Sequence, residues 1–258
     1  MPLNAHSVVD THTHLCDSLF DEDREDVIKR ARAVGVSAIV VVSETLSDVL
    51  RNLELATSYP LLWPAGGLYP THLDLSEAKQ VSSLIRKERH RFFAIGEVGL
   101  DYWIVKQESE REIQHEIFNK FIDLSLELNL PLNIHSRSAG RHAIEILLER
   151  RARKVQLHAF DGKASSALPG AEEGFFFSIP PSVIRSPQKQ KLVKRLPLST
   201  LLVETDSPVL GPSHNERNEP SNIMISVNAI SEIKNISKEE VLETVFNNTH
   251  QLYGDRDL

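Results

Sequence analysis

Eleven histidines stand among the 258 residues, and four of them fall where a short apolar run gives way to polar residues. His12 and His14 lie in Asp10-Thr-His-Thr-His14, two apart in an extended segment, so both imidazoles face one side and one cation can take both. His135 closes Leu-Pro-Leu-Asn-Ile-His, and His158 closes Val-Gln-Leu-His. Two carboxylates occupy comparable places. Glu97 lies in Ala-Ile-Gly-Glu-Val-Gly-Leu-Asp, where a lone charge would be badly desolvated, and its two oxygens can bridge two cations. Gly96 and Gly99 beside it let other groups approach closely. Asp206 follows Leu-Leu-Val-Glu-Thr; Glu204, deeper in that run, takes a supporting role, and Asp10 orients a ligand rather than binding metal. Taken singly, each group has a plainer reading as an exposed turn histidine, an ion-pair partner or a hydrogen-bonded core residue. Together, His12, His14, Glu97, His135, His158 and Asp206 offer nitrogen and oxygen donors without a thiolate, which suits Zn²⁺, Mn²⁺ or Mg²⁺. Six ligands exceed what one catalytic zinc takes, so two divalent ions are expected.

Such a set works only if the chain brings these positions to one place. Short β-branched runs alternate with helix-period stretches throughout. Strands are expected at Ser7–Asp10, Ser37–Ser43, Leu61–Leu68, Phe92–Val98, Leu130–His135, Lys154–His158, Gly174–Ile179 and Leu201–Thr205. Helices are expected at Asp23–Val34, Leu46–Ser58, Ser76–Arg89, Ser109–Leu128, Ala139–Arg151, Lys163–Glu173, Pro187–Leu196 and Asn222–Leu252, the last broken near Asn235. Pro169 and Gly170 interrupt the sixth. Eight βα units in about 250 residues close a single (β/α)₈ barrel spanning 1–258, whose chemistry sits where the strands end. An open doubly wound sheet would carry a glycine fingerprint after its first strand; here that turn reads Asp10-Thr-His-Thr-His14.

Composition narrows the function classes. The longest apolar run, Ala38–Val42, is five residues, far short of the roughly 20 needed to span a membrane. No basic region followed by an apolar core marks Met1–Val9, and the single cysteine, Cys16, excludes an internal disulfide framework. Both point to a reducing intracellular compartment, cytoplasmic or nuclear. With 29 Lys and Arg against 36 Asp and Glu, the net charge of −7 does not make a basic glove for nucleic acid. Any phosphate must meet a metal or local cations. Arg137, two residues past His135, with Arg141, and Arg217 in the loop after strand eight, are the cations at the site end. Arg150, Arg151, Arg153 and Lys154 precede strand six and lie at the opposite end, solvated. Arg185 to Arg195 carries five positive charges, either a solvated helix face or a track for a nucleic-acid backbone.

Asp10-Thr-His-Thr-His14, Gly96-Glu-Val-Gly-Leu-Asp101, His135-Ser-Arg137, His158-Ala-Phe-Asp-Gly162, Glu204-Thr-Asp-Ser-Pro208 and Arg217-Asn-Glu-Pro220, in that order, resemble the TatD family. These are metal-dependent deoxyribonucleases on an amidohydrolase-like (β/α)₈ barrel. Phe176 to Arg185 with Gln188 to Lys194 resembles the eukaryotic TatD-domain branch in particular. The resemblance implies that His12, His14 and Asp206 hold one ion, His135 and His158 the other, and that Glu97 bridges them. It implies DNA as the substrate, trimmed at single-stranded 3′ ends or incised at abasic sites in duplex. One departure stands out: the family's Gly-x-His-Pro after strand three reads Gly67-Leu-Tyr-Pro70, with Tyr69 in the histidine's place. His72, three residues on, is placed to replace it in part.

The expected chemistry is phosphodiester hydrolysis by water activated between two cations, with Asp206 accepting the proton and Arg137 neutralising a phosphate oxygen. An alternative on the same site is cleavage of an amide, lactone or aminoacyl ester, although many such barrels bridge their metals with a carboxylated lysine where this chain has Glu97. A non-catalytic binding scaffold is opposed by the presence of all six ligands. A nucleophilic Cys16 is opposed by the lack of any neighbour that would depress its pKa.

Overall fold

The computed structural model describes residues 7–254. Its strands are β1 Val8–Thr13, β2 Val36–Val41, β3 Leu62–Gly66, β4 Ala94–Gly99, β5 Leu132–His135, β6 Val155–Leu157, β7 Phe176–Ile179 and β8 Leu201–Val203. They pair in chain order, every pair parallel. The ring closes between its first and last strands: Thr11 Oγ1 donates to the Val203 carbonyl at 2.9 Å and the Asp206 amide to the His12 carbonyl at 2.9 Å. This is the (β/α)₈ barrel expected from the alternation.

Nine helices among the described residues surround it: α1 Arg24–Ala33, α2 Leu46–Ser58, α3 Leu75–Lys87, α4 Glu108–Leu128, α5 Gly140–Glu149, α6 Ala164–Glu172, α7 Pro187–Arg195, α8 Ile223–Lys234 and α9 Lys238–Tyr253. Local chemistry sets their ends. Thr45 and Asp48 form a reciprocal capping box at the start of α2, satisfying two amides that lack intrahelical partners. Asn235 adopts the left-handed conformation that stops α8, so the long C-terminal stretch is two helices, broken where expected. The α6 helix continues through Pro169 because packing outweighs propensity. Ala167 and Gly170 are buried, and a Cβ on Gly170 would already stand 3.0 Å from the Phe175 ring. No helix among the described residues is long and apolar enough to cross a membrane.

Along β2 the buried side chains alternate between two layers. Ile39 and Val41 join the large cluster shared with Val27, Ile28, Val49 and Leu53 of the surrounding helices. Ala38 and Val40 join Val9, Trp63, Ala65, Ala94 and Leu202, which fill the barrel and meet Tyr253 of α9. A polar layer lies within the strands as well. Tyr253 Oη donates to Gln156 Oε1 at 2.7 Å, and Gln156 Nε2 donates to Ser178 Oγ at 2.9 Å and Thr11 Oγ1 at 3.0 Å.

Most strand ends shift by one or two residues from the sequence reading, and the two at the closing seam shift for a visible reason. The first strand continues beyond Asp10 to Thr13, because the hydroxyls of Thr11 and Thr13 find strand carbonyls and can be buried. The last strand stops at Val203 rather than Thr205. The Thr205 amide donates instead to Asp10 Oδ1 at 2.8 Å, leaving the ladder.

Candidate active site

The six proposed ligands meet at one end of the barrel. His12 lies near the end of β1 with His14 just past it; Glu97 lies on β4, His135 ends β5, His158 follows β6 and Asp206 follows β8. Four atoms, His12 Nε2, His14 Nε2, Glu97 Oε2 and Asp206 Oδ1, form a first group. Their separations are 3.2 Å between the imidazoles, 3.7 and 3.4 Å from Glu97 to His12 and His14, and 3.4 and 3.3 Å from Asp206 to the same pair. Bonds of 2.0–2.1 Å to one tetrahedral ion put ligand atoms roughly 3.3–3.4 Å apart, so the separations between the imidazoles and from each carboxylate to them suit a shared cation. A second group lies on the other oxygen of the same carboxylate. Glu97 Oε1 is 2.6 Å from His135 Nδ1 and 2.8 Å from His158 Nε2, which are 3.2 Å from each other.

Glu97 is 1% exposed, and its Oε2 is buried with no hydrogen-bond partner. An orphaned carboxylate oxygen facing two imidazole nitrogens is costly unless a cation completes the set, so the residues fit a divalent ion. Two glycines make room for the Glu97 strand. At Gly99, with φ of +142°, a Cβ would come within 2.1 Å of the His135 carbonyl oxygen; at Gly96 it would meet Asn133 Cβ at 2.6 Å.

The electrostatics follow from this crowding. Burial and the stacked His158 ring, 3.8 Å away between centroids, push His12 down to about 3 and keep it a neutral donor. Burial also disfavours charge on His14, but Asp206 and Glu97 outweigh it and hold the metal-free imidazole up to about 9. His135 is likewise held up to about 9, with burial opposed by Glu97 and Asp101. Burial works against ionised Glu97 and Asp206, yet His158 and His135 keep the first below the carboxylate range, and His14 and His12 the second. Burial pushes Glu204 up to about 7. Cys16 is buried, which pushes its thiol up to about 12 and leaves it inert as a nucleophile.

The supporting carboxylates act on the backbone. Asp10 accepts from the Thr205 amide at 2.8 Å and hydroxyl at 2.5 Å, fixing the turn that carries Asp206. Glu204 accepts from the Ala159 amide at 2.8 Å and from Ser178 Oγ, and comes no nearer than 3.9 Å to His158 Nδ1.

Sequence reasoning missed three groups. Asn133 Oδ1 is 2.8 Å from His12 Nδ1, so the ring donates there and turns Nε2 toward the cage. Asp101 Oδ2 does the same for His135, 3.1 Å from Nε2. Asn133 shares a strand face with His135, a signal legible in Leu-Asn-Ile-His. Asp101 ends the run Gly96-Glu-Val-Gly-Leu-Asp101, where no local feature pairs it with His135. Lys189 carried no signal of its own within the five-charge stretch. It is half-buried on α7 and donates to the Ala159 carbonyl at 2.8 Å. Burial lowers its pKa.

A cavity of about 380 Å³ opens over the ligands, lined among others by His135, His158, Asp206, Tyr69, Arg137 and Lys189. Tyr69 points its hydroxyl at His135 Nε2 from 3.4 Å. The remaining two expected substrate residues stand elsewhere. His72 does not line this cavity; it is half-buried beside the Tyr69 turn, its amide donating to the Tyr69 carbonyl at 2.9 Å. Arg217 lies over Phe20 and is committed to Asp23, at 2.9 and 2.6 Å, and to the Leu19 carbonyl. Its place in the loop after β8 did not disclose that partner.

The family model of TatD-related DNases matches residues 9–254. Human deoxyribonuclease TATDN3 is 43% identical, the match covering 95% of this chain and 94% of that protein. The metal-dependent hydrolase YabD of Bacillus subtilis is 35% identical over 95% of this chain and 98% of its own length. In fold, the crystal structure of the TatD homolog YjjV from Escherichia coli superposes with a TM-score of 0.89 at 24% identity, covering 98% of this chain and 100% of that one. With motif, barrel and ligand geometry in agreement, the chain belongs to the TatD-related DNase family.

Proposed function

We propose that this chain hydrolyses DNA phosphodiester bonds, trimming single strands from the 3′ end, incising at abasic sites, or both, with two divalent cations in the ligand cluster. The observation that carries this reading is the division of Glu97, whose Oε2 faces His12 and His14 while Oε1 faces His135 and His158. His12, His14 and Asp206 would hold one cation and His135 and His158 the other, with Glu97 between them. When bound, the cations supply positive charge for the phosphate oxygens and acidify a water. Zn²⁺, Mg²⁺ and Mn²⁺ all suit these donors.

The chain's own residues supply the rest. Asp206 borders both the cage and the cavity and stays ionised, so it is the base that takes the proton of the attacking water. Arg137 and Lys189 line the same cavity and neutralise phosphate oxygens, which lets a protein of net charge −7 accept a polyanion. Tyr69 offers a neutral hydroxyl to the same cavity. Phe160, packed against Phe177 with ring centroids 5.4 Å apart, stiffens the loop that carries His158.

The test is cation content measured alongside cleavage of end-labelled single-stranded DNA and abasic duplex. Mononucleotides released from the 3′ end, or a single nick at the abasic position, both abolished by a chelator, are expected. Intact DNA in the presence of a fully loaded protein that turns over esters or lactones would overturn the proposal.

A further inference from the structure

Two adjacent aromatic residues follow β4, and the structure uses only one of them internally. Tyr102 is engaged: its hydroxyl lies 2.6 Å from His115 Nε2 and the Arg111 guanidinium lies 4.1 Å over its ring. Trp103, one residue on, is 54% exposed. A tryptophan that open on a hydrogen-bonded turn is unusual, since burying an indole is among the largest hydrophobic gains a side chain can make.

The turn is tied to the metal ligands. Asp101 Oδ1 accepts from the Ile104 amide at 2.8 Å while Oδ2 faces His135 Nε2 at 3.1 Å, so one carboxylate holds both the turn and a ligand. The Tyr102 amide donates to the Arg137 carbonyl at 2.9 Å, which links the turn to the loop after β5. Two cations lie over the exposed ring, Arg137 at 5.3 Å and Lys106 at 5.2 Å from its centroid; both are on long flexible stems and must swing aside to the flanking phosphates for a base to stack there. Arg137 also lines the catalytic cavity. An open indole between cations, at the rim of a site for phosphodiesters, matches how proteins bind single-stranded nucleic acid: bases stack on the aromatic face while cations follow the phosphates.

We propose that Trp103 is a stacking platform for an unpaired nucleobase next to the phosphodiester being cleaved, with Arg137 and Lys106 drawing in the flanking phosphates. This rests on the phosphodiesterase reading and adds to it the part of the substrate that the metal cluster does not contact. A base inside a duplex has both faces covered by its neighbours, so the platform selects DNA that is single-stranded or locally unpaired. It is indifferent to base identity, because every base has a π-face.

The only other tryptophan, Trp63, is 5% exposed and stacked on Phe93, so ligand-dependent quenching reports Trp103. The metal-loaded protein is titrated with an oligothymidylate and with an oligomer of equal length whose sugars carry no base, both with phosphorothioate linkages that slow cleavage. The oligothymidylate should quench emission, and Trp103→Ala should weaken its binding about 5- to 150-fold while leaving the base-free oligomer unchanged. Trp103→Phe, which keeps an aromatic face, should retain most of the affinity. Equal binding of the two oligomers by the wild type, unaltered in Trp103→Ala, or an equal loss for both, overturns the platform alone. Binding of neither oligomer by the loaded wild type overturns the phosphodiesterase reading and the platform with it.

Discussion

Replacing Asp101 by asparagine changes one atom and should remove one cation. With a cation bound, the acceptor-only carboxylate would hold the one remaining His135 proton on Nε2, 3.1 Å away, and leave the Nδ1 lone pair for the ion, beside Glu97 Oε1 and His158 Nε2. The Ile104 amide, 2.8 Å from Oδ1, fixes which side of the side chain must accept. In Asp101→Asn the amide oxygen stays with Ile104, so the NH₂ group faces His135 and can only donate. The imidazole proton is then driven to Nδ1, into the position the cation needs; the flipped amide would instead set NH₂ against the Ile104 N–H. Loss of such a supporting partner typically costs about 10- to 100-fold in metal affinity, or roughly 1.4–2.8 kcal/mol. Only the ion between His135 and His158 should suffer, because Asp101 touches no residue of the His12–His14–Asp206 group. The assay is calorimetric titration of the metal-free protein with Zn²⁺, read with cations per chain after dialysis. One site weakened and the other intact is expected, with the fold unchanged by circular dichroism. Two sites of native affinity in Asp101→Asn would refute both the tautomer argument and the assignment of His135 as a ligand.

Glu97→Gln should lower cation content at both sites and abolish hydrolysis, whereas His158→Ala should empty mainly one; native metal content in Glu97→Gln, by elemental analysis, would sink the bridging role. Asp206→Asn, assayed at saturating metal, should lose about 10²- to 10⁴-fold in turnover with little change in DNA binding. Recovery of the native rate at high metal would leave Asp206 a ligand only. Arg137→Ala should cost about 1.5–3 kcal/mol in kcat/KM, the scale of a charge-assisted hydrogen bond, and Arg151→Ala nothing; equal behaviour of the two would refute the placement of phosphate. Cation affinity should rise between pH 7 and 9, since His14 and His135, held up to about 9 in the metal-free chain, carry protons at pH 7 that the ion must displace. Titrations in buffers of different ionisation enthalpy should show proton release at pH 7, and none would contradict those values.

The barrel and the convergence of the six candidate ligands were legible because both are written in local pattern. Alternation of period-2 and period-3.6 runs gives eight βα units, and the position of His135 or His158 at the end of a run gives the rim. What the sequence hides is which distant group each polar side chain meets. Asn133 and His12 are 121 residues apart, and nothing local marks them as partners. Arg217 and Asp23 are 194 apart, so an arginine in a loop at the site end could be read as a phosphate contact although it is already paired. Strand ends were uncertain for the same reason. Thr205 leaves β8 for the carboxylate of Asp10, a side chain from the opposite end of the chain.

That last contact bears on how the protein is made. Synthesis proceeds from the N-terminus and domains begin to organise as they emerge, yet His12 and His14 come first and Asp206 almost last. Asp10 and Thr205, 195 residues apart, close the ring beside them, so the cage around the first cation has three of its corners but not the fourth until the eighth strand is out. A chain stalled on the ribosome, or cut short before residue 206, therefore lacks the proposed base and the barrel's closing seam together. The proposed capacity to cut DNA would wait on residue 206, and a product truncated before it would lack that capacity.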